Sequence, residues 1–288
     1  MKKDKTPLLL KFIRWGFPKL EWLAPALARK FFVNLFFTPL HYAPTEKERK
    51  AESYAEKFSL EVSGKRIQCY AWGKADKVVF VMHGWAGRAT QFRRFLKPLN
   101  AAGYRVVGFD GPAHGQSEGK RTNIMEFEAV LKKLIEKEGK PEAILSHSFG
   151  GGVALYAVMN NLPVQKLINI ASPTIGDEII NTYLKAIGGS SGTKEFFKAY
   201  IQKTMGRPFD EFTALHFIKK LPRKIDLMLV HDDADREVSI QHPLALLELY
   251  PSATLYKTSG LGHSRILKDN AVIQECVTFI GRNSSIQS

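Results

Sequence analysis

Cysteine is nearly absent. Cys69 and Cys276 are the only two in 288 residues, and neither belongs to a CxxC or mixed Cys/His spacing. The sequence therefore offers neither a disulfide framework nor a zinc site, and it points to a reducing, cytoplasmic setting. Long apolar runs are missing as well. Ala143 to Gln165 carries no Asp, Glu, Lys or Arg over 23 residues, but Ser146, His147, Ser148, Gly150 to Gly152, Asn160 and Asn161 interrupt it. A transmembrane helix needs about 20 mostly apolar residues, so this stretch reads as a buried strand, a tight turn and a buried helix. The start, Met1 to Lys5, is basic like a secretory leader, yet Leu8 to Leu10 is followed at once by Lys11, too short a run for a signal peptide. There is no internal repeat, and the one biased tract, Gly188-Gly189-Ser190-Ser191-Gly192, reads as a flexible joint.

Acidic residues are scarce beside basic ones, 28 against 42, for a net charge of +14. Such an excess brings nucleic acid, anionic membrane and acidic substrates into consideration. Residues 1–50 hold half of it: eight lysines and three arginines against one aspartate and three glutamates, a net +7. The rest of the chain has no basic block interleaved with aromatics and no zinc-finger, homeodomain or RNA-binding signature, so no nucleic-acid partner is expected. Near the amino terminus Leu23, Leu27, Phe31 and Leu35 recur every four positions. Phe36 and Phe37 widen that apolar surface, and Lys11, Arg14, Lys19, Arg29 and Lys30 supply charge. One or two amphipathic helices are expected, packed on the core of the fold, with peripheral membrane contact through residues 6–40 or an oligomer contact as open alternatives.

From Phe58 onward, short apolar runs alternate with helical patterns. Lys77–Met82, Tyr104–Asp110, Ala143–Leu145, Lys166–Ala171, Ile225–His231 and Thr254–Lys257 read as strands. Gln91–Ala102, Ile124–Glu138, Val153–Met159, Pro243–Tyr250 and residues 272–280 read as helices. That alternation predicts an α/β fold, a mainly parallel sheet covered by helices on both faces. Phe58–Val62 and Ile67–Trp72 look like an antiparallel hairpin at one edge. Some 50 residues separate Ser172 from Ile225, far more than a connection needs. The expected organisation is an amino-terminal helical extension (1–50), a core (51–175 and 223–288) and an inserted helical cap (176–222).

Five segments that follow predicted strands carry chemistry. Ser146-His147-Ser148-Phe149-Gly150 puts Ser148 at a strand-to-helix turn, where amides at the helix start can stabilise an anion. His83-Gly84-Trp85 follows the strand ending at Met82. Asp110 to Ser117 (DGPAHGQS) follows another, His231 to Val238 (HDDADREV) a third, and Gly262-His263-Ser264 the last.

In that order, over residues 58–280, these segments resemble the α/β-hydrolase superfamily: the GxSxG nucleophile elbow with Ser146 replacing the first glycine, the HG-x oxyanion loop, the structural D-x-P-x-H-G-x-S loop, the HGxxDxxV segment, and the final histidine. The resemblance implies Ser148 as nucleophile, Asp235 as acid, His263 as base 28 residues further on, and the Trp85 and Phe149 amides as oxyanion hole. It implies no cofactor and no metal, and it leaves His114 and His147 as packing residues. Asp232 takes a usual glycine place with Asp233 beside it, so three carboxylates compete for one role, and these two are expected to matter much less than Asp235. The implied activity is cleavage of a small-molecule carboxylic ester or related acyl bond through an acyl-enzyme on Ser148. Thioesterases, acyltransferases, lipases and carbon–carbon hydrolases share that triad, and a catalytically silent binder of a hydrophobic ligand or partner is the alternative from another class. The insertion's Ile179, Tyr183, Phe196, Phe197, Tyr200, Phe209, Phe212 and Phe217 suit either an apolar acyl pocket or a small core of the cap's own.

Overall fold

The structure is a computed structural model and describes residues 8–283, so the basic start and the first two positions of the 6–40 segment lie outside the described residues. The strands are β1 (Glu56–Val62), β2 (Lys65–Trp72), β3 (Val78–Met82), β4 (Arg105–Phe109), β5 (Ala143–His147), β6 (Lys166–Ile170), β7 (Asp226–Asp232) and β8 (Thr254–Thr258). The helices are α1 (Leu8–Leu23), α2 (Pro25–Phe37), α3 (Glu46–Ser53), α4 (Arg93–Ala101), α5 (Ile124–Glu138), α6 (Phe149–Met159), α7 (Gly176–Ile187), α8 (Ser191–Met205), α9 (Ala214–Lys219), α10 (Gln241–Leu249), α11 (Gly262–Arg265) and α12 (Asn270–Gly281). They form two units, one of residues 39–174 with 214–283, the other of residues 8–38 with 175–213.

The larger unit is built on one eight-stranded sheet in the order β1-β2-β4-β3-β5-β6-β7-β8. Only β2 runs antiparallel to its neighbours, pairing β1 through the two-residue turn Ser63-Gly64, whose positive φ angles (51° and 71°) match the twist of a tight hairpin. The central strands β3, β5 and β6 are buried at every residue, as continuous apolar runs require when both faces of a sheet are covered. On one face, Phe92, Phe95, Leu99, Val272, Cys276 and Phe279 pack on Val79, Val81, Leu145 and Ile168. The pleat sends alternate residues to the other face, where Phe109 of β4 meets Phe127 of α5 at 6.0 Å and α5 packs beside α6. Both cysteines are buried and free, and burial raises the Cys69 thiol to about 12. Because β3 leads to β4 on one side while β5 leads to β6 on the other, the connections part between β3 and β5. A crevice forms at the carboxyl ends of strands at such a switch point.

The smaller unit joins segments far apart in the sequence. Phe17 of α1 and Ala28, Phe32 and Val33 of α2 share one core with Ile180, Leu184 and Ile187 of α7, Phe197 and Ile201 of α8, and Phe209. Phe32 meets Phe197 edge-on at 5.3 Å, and Phe36 lies 4.4 Å from the same ring. The amino-terminal helices, expected to pack on the core of the fold, instead share a core with the inserted helices because their apolar faces meet those of α7 and α8, and much of the insertion's aromatic content is used there. Phe217 is the exception, packing on Tyr156 in the larger unit at 5.0 Å. The joint between α7 and α8 is shorter than the Gly/Ser tract suggests. Gly188 closes α7 in the left-handed conformation, and Ser191 and Gly192 are already helical. The reason is Glu21 of α1, whose carboxylate accepts hydrogen bonds from the Ser190 amide and the Ser190 and Thr193 hydroxyls and so caps α8 from outside.

Phe32 is fully buried. Phe32→Ala is expected to cost the smaller unit about 3–5 kcal/mol, read as faster hydrogen exchange in α7 and α8 with β3 and β5 unchanged. Exposed Asn34→Ala should stay within about 0.5 kcal/mol of the parent. Equal exchange in both variants would contradict this account of the unit.

Candidate active site

Ser148 follows β5 and opens α6 with φ 52° and ψ −123°, a region an L-residue rarely adopts. Its side chain makes no capping bond, so a simple helix-capping role does not explain it. The turn is fixed by its own backbone: the Ser148 N–H donates to the Ile170 carbonyl at 2.9 Å, and its carbonyl accepts from Ser172 Oγ and the Gly151 N–H, each at 2.9 Å. Packing here tolerates no excess atoms. A Cβ on Gly84 would stand 2.8 Å from Ser148 Cβ, and one on Gly150 would stand 2.6 Å from the Met82 carbonyl oxygen. Ser146 is small enough for the same reason and is completely buried. Its Oγ lies 2.8 Å from Asn169 Oδ1 and 3.0 Å from the Ile168 carbonyl, tying β5 to β6.

The amide of Phe149, first residue of α6, has no acceptor within its helix. Across the switch point, Trp85 follows β3, and its ring lies edge-on to Phe149 with centroids 5.4 Å apart. Two histidines shape the Trp85 loop. His83 Nδ1–H donates to the Gly84 carbonyl at 2.7 Å while its Nε2 accepts the Gly111 N–H at 2.8 Å. His114 Nε2 accepts the Ala86 N–H at 3.0 Å while its Nδ1–H donates to the Pro112 carbonyl at 2.9 Å. Burial, with each other's proximity, holds His83 well below the usual imidazole range, and burial lowers His114 to about 4. Both are neutral staples with no nitrogen to spare. Asp110 anchors the same loop, accepting from the Ala89 and Gln116 amides and the Tyr70 hydroxyl.

At the carboxyl ends of β7 and β8 the three competing carboxylates separate. Asp235 Oδ2 lies 2.8 Å from His263 Nδ1, and Oδ1 accepts from the Glu237 and Val238 amides at 2.8 and 3.0 Å. Burial alone would raise this carboxyl, but the His263 hydrogen bond and charge and the two amides outweigh it, and the pKa falls below its ordinary value. The Asp233 carboxylate lies on the surface, 3.7 Å from Lys257. Asp232 has a third role that its place in the motif does not suggest. Fully buried, it accepts from the Ala234 and Gly262 amides on Oδ1 and from the Leu261 amide and Thr258 Oγ1 on Oδ2, all within 2.8–3.1 Å. It anchors the turn that carries His263. His147 also does more than fill space. Its Nε2–H donates to the His263 carbonyl at 3.0 Å, the two rings lie 4.8 Å apart, and burial first, then His263, lowers it to about 3. The residue beside Ser148 thus holds the backbone of His263. Among the described residues no group of three or more His, Cys, Asp or Glu side chains is arranged to hold a metal ion.

Comparison with known families decides the lineage, for residues 73–255 match the serine aminopeptidase S33 family. The chain belongs to that family. Its fold is the α/β-hydrolase fold, and an esterase from Pyrococcus furiosus superposes with a TM-score of 0.65 at 18% identity, covering 85% of this chain and 96% of that one. Human monoglyceride lipase is 25% identical over 107 residues, 33% of this chain and 35% of the lipase. The uncharacterized hydrolase YugF of Bacillus subtilis is 26% identical over 223 residues, 63% of this chain and 81% of that one. The chain spans between 35% and 40% of the length of the first curated relatives it matches. The S33 match includes Ser148 and Asp235 and ends before His263. The backbone-holding roles of Asp232, His147 and Ser172 were not visible in the sequence, since each acts on a backbone group that no local pattern reveals.

Asp232→Asn turns one acceptor oxygen into a donor facing N–H or O–H groups, with an expected cost of about 2–3 kcal/mol and a loss of activity through the displaced His263 turn. Asp233→Asn should stay within about 0.5 kcal/mol. Because Asp232 has a depressed pKa in the folded state, its stabilising contribution is complete above the ordinary carboxylate value near 3.8 and is lost as pH falls below it. Thermal melts of parent and Asp232→Asn should therefore differ most at neutral pH and converge below about pH 4. A gap that does not narrow in acid would remove the charge from this explanation.

Proposed function

We propose that this S33-family chain is a serine hydrolase that cleaves a small-molecule carboxylic ester or related acyl bond through an acyl-enzyme on Ser148. The observation that carries the reading is the 2.8 Å contact of Asp235 Oδ2 with His263 Nδ1, made by a histidine whose carbonyl is held by the residue next to Ser148. With Nδ1–H donated to Asp235, His263 has Nε2 available as a base. It takes the Ser148 proton as Oγ bonds to the acyl carbon and the carbonyl electron pair moves to oxygen. The Trp85 and Phe149 amides serve that oxyanion, and each such donor is worth roughly 3 kcal/mol. His263 then returns the proton to the leaving oxygen as the acyl–oxygen bond breaks. Water, deprotonated by the same ring, releases the carboxylic acid and restores Ser148. Asp235 keeps the tautomer and stabilises the imidazolium throughout. The names of the lipase and esterase relatives agree with an ester as substrate.

An active-site fluorophosphonate probe on the full chain should label Ser148 and inhibit hydrolysis of p-nitrophenyl esters. Ser148→Ala should abolish both with an unchanged melting temperature, and Asp235→Asn and His263→Ala should each lower kcat by about 10⁴-fold. Ser146→Ala should keep activity while losing about 1 kcal/mol from its buried hydrogen bond. A folded protein that takes no label would instead favour the silent binder. A dead Ser146→Ala beside an active Ser148→Ala would move the nucleophile by two residues.

A further inference from the structure

Helices α1 and α2 bury one apolar face and expose another. Phe17 points into the smaller unit's core, whereas Phe12, Trp15, Trp22 and Leu23 are 69%, 68%, 81% and 71% exposed, and α2 adds Leu27 and Phe31. At 3.6 residues per turn, Phe12, Trp15, Lys19, Trp22 and Leu23 occupy one sector of about 100°. The ring of Phe31 lies 5.9 Å from that of Phe17, so α2 packs beside α1. Scattered exposed apolar residues need no explanation, but a cluster containing two tryptophans marks an interaction surface.

Charge identifies the partner. Residues 8–38 contain Lys11, Arg14, Lys19, Arg29 and Lys30 against the single acid Glu21, whose carboxylate is occupied by Ser190 and Thr193. Lys19 Nζ sits 3.1 Å from the centroid of the Trp15 ring, a cation resting on the aromatic surface it borders. Two tryptophans and a lysine stem on one face suit a helix that lies in a headgroup layer. Among the described residues no helix is long and apolar enough to cross a membrane. A second copy of the chain is the poorer occupant, because a two-fold contact would set this cationic face against itself. We propose that the outer face of α1 and α2 docks on an anionic lipid surface, with Trp15 and Trp22 entering the interface. This docking does not depend on the chemistry at Ser148.

The test uses the full chain with vesicles of phosphatidylcholine alone or with about 30% phosphatidylserine. Co-sedimentation is expected with the anionic vesicles only, weakening as salt rises from about 0.1 to 0.5 M, and brominated lipid should quench tryptophan emission of the parent protein. Trp15→Ser with Trp22→Ser should lower the partition coefficient by about tenfold or more and remove the quenching. Lys19→Gln and Lys30→Gln should lower it about fivefold each. Circular dichroism and p-nitrophenyl acetate hydrolysis should be unchanged in all of these variants. The proposal is overturned if the parent ignores anionic vesicles at low salt, or if binding resists both salt and the tryptophan substitutions. It is also overturned if the parent is a dimer that the double substitution dissociates while vesicles go unbound, which would make a second copy the occupant.

Discussion

Everything at the carboxyl end of the sheet depends on the backbone of Ser148. A non-glycine residue at φ 52° and ψ −123° costs about 1–3 kcal/mol and persists only where its surroundings over-determine it. Here the Ile170 carbonyl, Ser172 Oγ and the Gly151 amide hold both sides of the residue. Meanwhile the close approach of β3 and its loop forbids a side chain at positions 84 and 150. Glycine at 148 would relieve the strain and delete the hydroxyl. The strain, the small neighbours and the register of β5 on β6, which Ser146 ties through Asn169, are one constraint seen from three sides.

The buried histidines extend the same logic to charge. His83 and His114 each donate from Nδ1 and accept a backbone N–H on Nε2. Protonating either ring would set an N–H against an N–H, so the low pKa values that burial imposes are a condition of the loop geometry. His147 donates to the backbone of His263, and Asp232 collects the amides of the adjacent turn. Asp235 divides its oxygens between backbone and ring. The pair formed by His263 and Asp235 is thus held by groups whose protonation does not change near neutral pH.

The central strands were legible because β3, β5 and β6 are buried on both faces and read as short, mostly apolar runs, and the mainly parallel sheet follows from their alternation with helices. The half-exposed edge strands β1 and β8 gave softer boundaries. At the candidate site, the segments around Ser148, Asp235 and His263 were visible as residue types in order after strands. Local pattern could not distinguish Asp232 from Asp233, since one faces four buried donors and the other faces solvent, and the two are adjacent in sequence. Nor could it pair α1 and α2 with α7 and α8. Two apolar stripes some 150 residues apart contain no record of each other, and the cap that Glu21 places on α8 spans 169 residues.

The two faces of α1 differ in kind as well as direction, which periodicity alone does not register. A tryptophan in a dry core needs a partner for its indole N–H, and Trp72 has one: it is buried and donates from Nε1 to the Ala51 carbonyl at 2.8 Å. The buried faces of α1 and α2 are instead made of Phe17, Ala28, Phe32 and Val33, which carry no polar side-chain atom. Trp15 and Trp22 stand on the side where an N–H meets water or a headgroup while the ring seeks apolar cover. A helix apolar on all sides is ordinarily buried. Here both tryptophans and Lys19 stand on the exposed side of α1 and none stands among the buried side chains, so each face suits a different solvent.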